Sequence, residues 1–539
     1  MKSFQDMVED TLLKDGPVLS SILAKNLEAS GLTPEAARQR ISRANGKVRR
    51  LSGLPFPKRA SILYHEATYN SGKYWNQLVK ITIGSSPAYG PALAAVMARD
   101  GIVPEAHFAI ISGSPQAQKG QLASETVLSR LVANGFFKRL HIEGIGPCIA
   151  LDANGQLQHA KSTELTARLV TENMMLLAVR DWARNLGMAS YDKITLRTDA
   201  KLPKYGTFNW DLCGPSYIRP LATREKDGKP TPGFFLCDVM AGNAINANGI
   251  AAFVRKCSML SGLKNLPPMM PMLLADGFTR EAFNLGRGHG ILMTTPTNLF
   301  GAEVATGLRT LLQSVTKAAA VATEQPEVIP ELFSKLSHIE GAAANLRGAL
   351  FEMIMGHVVY AREADPIEIG KRIKDPLSGA SAEIDVFRVK ERQGVWIYEG
   401  KGHQPSEIVD LVTVEKWVKD RVALIYRVLS AEPRFRESEF HFEYWTCGTF
   451  SAEARAFLEK AAANTHRYTI SYKDGAAVRQ YASQIRSTSI MQTLDQHYFN
   501  HPISRFDKKY DATESLLRVQ LDTPTLIADM RSRGIDESL

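Results

Sequence analysis

Two stretches of this 539-residue chain set out the same kinds of segment in the same order, and that recurrence limits its folds more than any other feature. In the first, the helical pattern "TARLVTENMMLLAVRDWARNLG" precedes an aspartate in "FNWDLCG", the strand-like run "GFFLCDVMAG", the helical pattern "GIAAFVRKCSMLSGL" and then "MMPMLLADGFTREAFNLGRGHGILMTT". In the second, "NLRGALFEMIMGHVVYARE" precedes the aspartate of "AEIDVFRV", the run "VWIYEGKG", the helical pattern "VEKWVKDRVALIYRVL" and then "FHFEYWTCGTFSAEARAFLEKAAANTHRYTISY". Each segment returns about 160 to 180 residues later. Apolar spacing near 3.6 marks the helices, and short β-branched or aromatic runs between turn signals mark the strands. Helix and strand in alternation imply α/β units, and their return in fixed order implies an internal repeat. The units are expected over residues 159–322 and 323–488, with a domain edge in the polar, proline-broken "TKAAAVATEQPEVIPELFSKLS".

Upstream the grammar differs. Phe4 to Lys14, Val18 to Ser30 and the segment from Thr33 are expected to be helices. Thr33 suits an N-cap, Pro34 the first helical position and Glu35 the positive helix end. The apolar runs of "VRRLSGLPFPKRASILYHEATYNSGKYW" are expected to form a β-hairpin wing. Helices and hairpin together make a winged helix-turn-helix over residues 1–82. Arg38, Arg40, Arg43, Lys47, Arg49 and Arg50 then form a row of cations where a recognition helix meets phosphates, or else a solvated basic face. A second winged-helix-like module is expected over 83–158, but its third helix offers only Arg130, so packing or protein contact competes there with DNA contact. Residues 489–539 are expected as a C-terminal appendage.

Composition narrows the class without choosing it. A net charge of +9 and a pI near 9.1 favour a polyanionic partner only slightly. The cysteines Cys148, Cys213, Cys237, Cys257 and Cys447 have no paired spacing, which argues against a disulfide framework or a zinc knuckle and fits a reducing cytoplasm. The N-terminus lacks the apolar core of a signal peptide, and no run is long enough for a bilayer, so no membrane partner is expected.

The chemistry is expected in "SAEIDVFRVKERQGVWIYEGKGHQ". Side chains alternate along a strand, so Glu399 and Lys401 share a face with Val395 and Ile397, and a hairpin through "KERQG" brings Asp385 beside Glu399. Charges set among apolar side chains need partners, and a hard divalent cation is one. Asp, Glu and Lys at such a metal form a minimal kit for phosphodiester hydrolysis.

This set resembles the PD-(D/E)XK nuclease superfamily of restriction-endonuclease-like and Mrr-like enzymes. The resemblance rests on Asp385, on Glu399, Gly400 and Lys401, on the helix carrying Glu352, and on the helix and strand that follow. It implies that Asp385, Glu399 and the Gly400 carbonyl bind Mg²⁺, or Mn²⁺, that Lys401 positions the attacking water, and that Glu352 supports the metal. Gln404 resembles a glutamine of Mrr-like members. The implied activity is endonucleolytic cleavage of double-stranded DNA, as in bacterial restriction or anti-phage defence, by a homodimer or with a partner protein. In the earlier unit Glu172, Asp211 and Asp238 take the places of the acids, but Met240 stands where the lysine belongs. That marks a degenerate site, with metal binding through Asp211 and Asp238 still open. The contrary expectation is a non-catalytic DNA-binding or scaffold protein with two inert folds. The "GRGHG" loop around His289 lacks the rest of a phosphate loop, and His357 and His403 show no metal-ligand spacing.

Overall fold

The computed structural model describes residues 4–57, 60–152, 161–219, 221–224, 230–263, 265–339, 341–390, 393–402 and 407–499. His403, Gln404 and most of the C-terminal appendage lie outside them. The fold is mixed α/β with several small sheets. The chain forms two compact units, one running to Ala318 and taking in Ser334–Asn345, the other made of Ala319–Phe333 and the chain from Leu346. Two of the changes from one unit to the other, after Ala318 and after Phe333, lie in the stretch "TKAAAVATEQPEVIPELFSKLS", and a third follows Asn345. That stretch is folded, as helices Ala318–Glu324 and Val328–Leu336, with Val321, Ile329 and Phe333 buried.

The first unit begins with helices Phe4–Asp15, Ser20–Ala29 and Pro34–Arg43. A small sheet joins them, with Ile62–His65 between Val18–Leu19 and Val48–Arg50. Thr33 caps the third helix by accepting the Ala36 N–H, and Pro34 follows it. The helix expected from Val18 starts two residues later: Val18 and Leu19 are extended and pair with Leu63 and Ile62. Branched Val18 thereby packs against Val8, Leu12, Ile41 and Leu63. The end of the expected hairpin is instead the start of helix Gly72–Ser85, capped by Ser71. Helices Tyr89–Met97, Phe108–Ile111 and Ser124–Ala133 follow, with a sheet of Ile102–Pro104, Gly146–Leu151 and Phe137–Ile142.

Next comes a sheet ordered Thr195–Leu196, Leu212–Ser216, Gly233–Met240, Met269–Ala275 and Leu292–Thr294. Its first three strands are antiparallel neighbours and its last two are added in parallel. The second unit builds Ile367–Lys374, Ser381–Lys390, Gly394–Lys401, Glu439–Thr446 and Thr469–Lys473 into a sheet of the same order and the same orientations. Long helices, Lys161–Asn185 and Ala342–Glu363, precede the two sheets. Parallel neighbours need a crossover. Helix Ala247–Ser261 supplies the first crossover in one unit, and Leu411–Ala431, interrupted by a π-helical turn at Trp417–Val422, supplies it in the other. Helices Arg280–Gly288 and Ala452–Asn464 supply the second. The recurrence expected from sequence is therefore present strand for strand in the connectivity. Each sheet buries its own apolar core, around Trp210, Phe253 and Leu273 in one unit and Ile397, Trp417 and Phe442 in the other. No described helix is long and apolar enough to cross a membrane.

Candidate functional site

In the second unit the antiparallel register pairs Val386 with Tyr398, so the next residues along each strand, Asp385 and Glu399, stand opposite each other on one face. Both are buried. The Gly400 N–H donates to Asp385 Oδ2 at 2.7 Å. Lys401 Nζ lies 2.8 Å from Glu399 Oε1, and Arg421 Nη1 lies 3.0 Å from the same oxygen. Arg421 comes from the π-helical turn and also donates to the Glu383 carbonyl. Helix Ala342–Glu363 runs close behind: a Cβ on Gly400 would come within 2.8 Å of Met355 Cε and 3.3 Å of Phe351 Cδ1, so a larger residue there would make the Met355 side chain move. The approach brings half-buried Glu352 into the same field of charge.

Both cations bind Glu399, which leaves Asp385 and Glu352 under-compensated. Burial, and after it the Glu399 charge, pushes the Asp385 carboxyl up to about 7. Burial and then Asp385 raise Glu352 well above the usual carboxylate range. Burial alone would lower the Lys401 ammonium, but Glu399 and Asp385 outweigh it and the net shift is upward. Lys401 is therefore a fixed cation and hydrogen-bond donor.

The residues fit a hard cation in a limited way. Among the described residues no three His, Cys, Asp or Glu side chains converge as metal ligands. Asp385 and Glu399 offer two adjacent carboxylates, one of them short of positive charge. Mg²⁺ is commonly held by one or two carboxylates, with water and phosphate oxygens completing its shell.

The first unit repeats this geometry and closes it. Leu212 pairs with Cys237, so Asp211 stands opposite Asp238. The Val239 N–H donates to Asp211 Oδ2 at 2.9 Å, as Gly400 does to Asp385. Glu172 joins them by accepting the Ala241 N–H at 3.4 Å. Two protein cations fill the middle. Arg197 reaches Asp211 at 3.1 Å and Glu172 at 2.8 Å. Lys256 Nζ is 2.5 Å from Asp238, donates to the Ile110 and Asn209 carbonyls at 3.1 Å, and lies 3.9 Å over the Trp210 ring. The remaining cavity between Arg99, Ile110, Asp238 and Met240 is about 10 Å³, at or below the room one water needs. At Asp211 and Asp238, where the sequence leaves metal binding open, Arg197 and Lys256 supply charge of the sign an ion would bring.

Besides Lys401, which Met240 replaces in the first unit, the two sites differ at the strand position that faces the first aspartate. The ladder that pairs Leu212 with Leu196 sets Arg197 opposite Asp211. Between the pairs Ile369–Val386 and Lys371–Ile384, the residue opposite Asp385 is Gly370, at φ +68°. Lys256 has a counterpart in Arg421; Arg197 has none. The sequence reading missed Arg197, Lys256, Arg421 and Gly370. Two of them carry a usable signal, a single cation inside an apolar helical stripe: Lys256 beside Phe253, Cys257 and Leu260, and Arg421 beside Trp417, Val422 and Ile425.

Of the N-terminal cations, all exposed, Arg49 pairs with Glu66 at 2.8 Å and Arg50 bonds the Ile41 and Ser42 carbonyls. Arg40 lies over the Phe4 ring. Arg38, Arg43 and Lys47 continue the row. Arg130 donates to the Tyr89 hydroxyl, a packing contact. His289 hydrogen-bonds Ser258 at the end of a helix, and His357 is buried against the Ala322 carbonyl. All five cysteines are buried. The chain matches no family model, no curated protein and no solved structure.

Proposed function

We propose that the chain is a divalent-metal-dependent DNA endonuclease of the PD-(D/E)XK kind, with winged-helix modules that hold the duplex and a second α/β unit that cuts it, in bacterial restriction or anti-phage defence. The observation that carries this reading is the buried pair Asp385 and Glu399, opposite each other on adjoining strands, with Lys401 2.8 Å from Glu399 and, among the described residues, no cation in an ion pair with Asp385. A buried carboxylate without a cation is unfavourable, and a Mg²⁺ or Mn²⁺ ion at the strand ends removes that cost. Asp385 and Glu399 would hold the ion, which when bound supplies Lewis-acid charge to a phosphate. Lys401 keeps its proton, so it orients water or a phosphate oxygen by donating to it and does not act as a base. Arg421 holds the Glu399 carboxylate in place. Water adds to phosphorus, one P–O bond to a sugar oxygen breaks, and the departing oxygen takes up a proton.

The test is incubation of supercoiled plasmid with the purified chain in Mg²⁺, Mn²⁺ or EDTA. Cleavage with metal alone, lost in Asp385→Asn and Lys401→Ala while DNA binding persists, is the expected result. Cleavage by either variant at the wild-type rate overturns the assignment. One observation favours a second reading, an inert DNA-binding or scaffold fold: Glu399 is already neutralised by Lys401 and Arg421, much as Asp238 is by Lys256. DNA binding that survives EDTA with no metal-dependent cutting selects it.

A further inference from the structure

Arg347 lies on helix Ala342–Glu363 and is 5% exposed, and its Nε and Nη1 are buried without a hydrogen-bond acceptor. Among the described residues no carboxylate forms an ion pair with it. The other buried arginines are compensated. Arg168 reaches Asp100, Arg197 reaches Asp211 and Glu172, and Arg388 reaches Glu363 and Asp365. Arg99 donates to the Ala95 carbonyl within the field of Glu172 and Asp211. A guanidinium taken out of water without an anion is unfavourable, and charge-assisted hydrogen bonds to an oxyanion remove that cost.

The place of Arg347 is the end of the sheet that carries the acid pair. Strands Gly394–Lys401 and Glu439–Thr446 run parallel and finish together there. A Cβ on Gly402, the residue after Lys401, would come within 2.9 Å of the Arg347 carbonyl oxygen. Just past the neighbouring strand, the Cys447 N–H donates to the Lys401 carbonyl at 3.3 Å. The Arg347 charge acts on the Cys447 thiol and on the Tyr498 hydroxyl, which also donates to the Arg347 carbonyl at 3.0 Å. Burial keeps both groups protonated, the thiol pushed up to about 12, so neither is a counterion. Glu407, which acts on Cys447 as well, is exposed. The carboxyl ends of parallel strands are where open α/β sheets take ligands, and the Lys401 side chain is 31% exposed, so this end is reached from solvent. The first unit supplies a contrast. Five residues before Glu172 on its long helix stands buried Ala167, where five residues before Glu352 stands Arg347. The unit whose acids are closed by internal cations has no arginine at that place, and the open unit keeps one without a partner.

Resting on the nuclease reading, we propose that Arg347 holds a backbone phosphate of the DNA strand, next to the one presented to Asp385 and Glu399. The planar guanidinium matches two phosphate oxygens at once. The experiment compares the full chain with Arg347→Met and Arg347→Lys, in EDTA so that no metal takes part. Thermal unfolding is followed in potassium phosphate against potassium chloride of equal ionic strength, and duplex affinity by anisotropy of a fluorescein-labelled DNA. Phosphate should raise the melting temperature of wild type. Arg347→Met carries no stranded charge, so it should melt higher than wild type in chloride and should not respond to phosphate. Its duplex affinity should fall about tenfold, the loss of one charge-assisted phosphate contact. Arg347→Lys keeps the charge without the fork and should fall about threefold. It carries the comparison if the methionine variant does not fold. Equal phosphate shifts and equal affinities in wild type and variants overturn the proposal. A phosphate shift lost with duplex affinity unchanged assigns the site to a free phosphate and overturns the DNA contact. If wild type never cuts plasmid in Mg²⁺ but both responses depend on Arg347, the phosphate site stands and the nuclease falls. Cutting by wild type with no such dependence does the reverse.

Discussion

Gly370 and Arg197 hold equivalent places in two sheets of one topology, and the side chain at that place decides whether the facing aspartate is neutralised from within the protein. Gly370→Arg should set a guanidinium against Asp385 as Arg197 sets one against Asp211, abolishing metal-dependent cleavage and any rise in melting temperature caused by Mg²⁺. Gly370→Ala carries the backbone strain of φ +68°, about 1 to 3 kcal/mol, without the charge, so cleavage retained in the alanine variant and lost in the arginine variant isolates the electrostatic effect. Asp385 also titrates usefully. Its carboxyl rises from 3.8 to about 7 on folding, so the folded chain binds that proton more tightly than the unfolded one. Its contribution to stability is fully present below the unfolded value and is lost as pH rises through about 7. In EDTA the second unit should therefore melt at a higher temperature in mild acid than in mild alkali, and Asp385→Asn should flatten that slope. A slope unchanged in the variant would remove Asp385 as its cause.

At the scale of elements, Lys256 joins the crossover helix of the first α/β unit to the Ile110 carbonyl of the preceding module and to Asp238. Lys256→Met leaves a buried aspartate without its cation, and the first unit should lose about 3 to 5 kcal/mol in denaturant unfolding. Lys256→Met combined with Asp238→Leu should regain most of that loss, because the uncompensated charge goes with the pair. The third N-terminal helix and its exit behave differently, since Arg38, Arg43 and Lys47 are exposed. Replacing Arg38 or Arg43 with alanine should weaken duplex binding and flatten its salt dependence by about one counterion each, measured by anisotropy over a salt series. Arg50, which bonds the Ile41 and Ser42 carbonyls, should instead cost fold stability.

Across the whole molecule, the order of elements was legible because helical and strand periods are written in local sequence. The hairpin of Asp385 and Glu399 was legible too, since its strands alternate cleanly and its turn is short. What escaped was set by pairing over distance. Nothing local at Arg197 tells that it faces Asp211, and nothing local at Gly370 tells that it faces Asp385; both follow from strand register. The helix expected from Val18 failed for the same reason, because its first residues find strand partners more than forty positions away. One closed and one open acid pair per chain has a further consequence for any cutting of duplexes. Under the proposed nuclease reading a single visit would sever only one strand, so circular plasmid should pass through a relaxed, once-broken form before linear product appears, and the lag between the two should shorten as protein concentration rises.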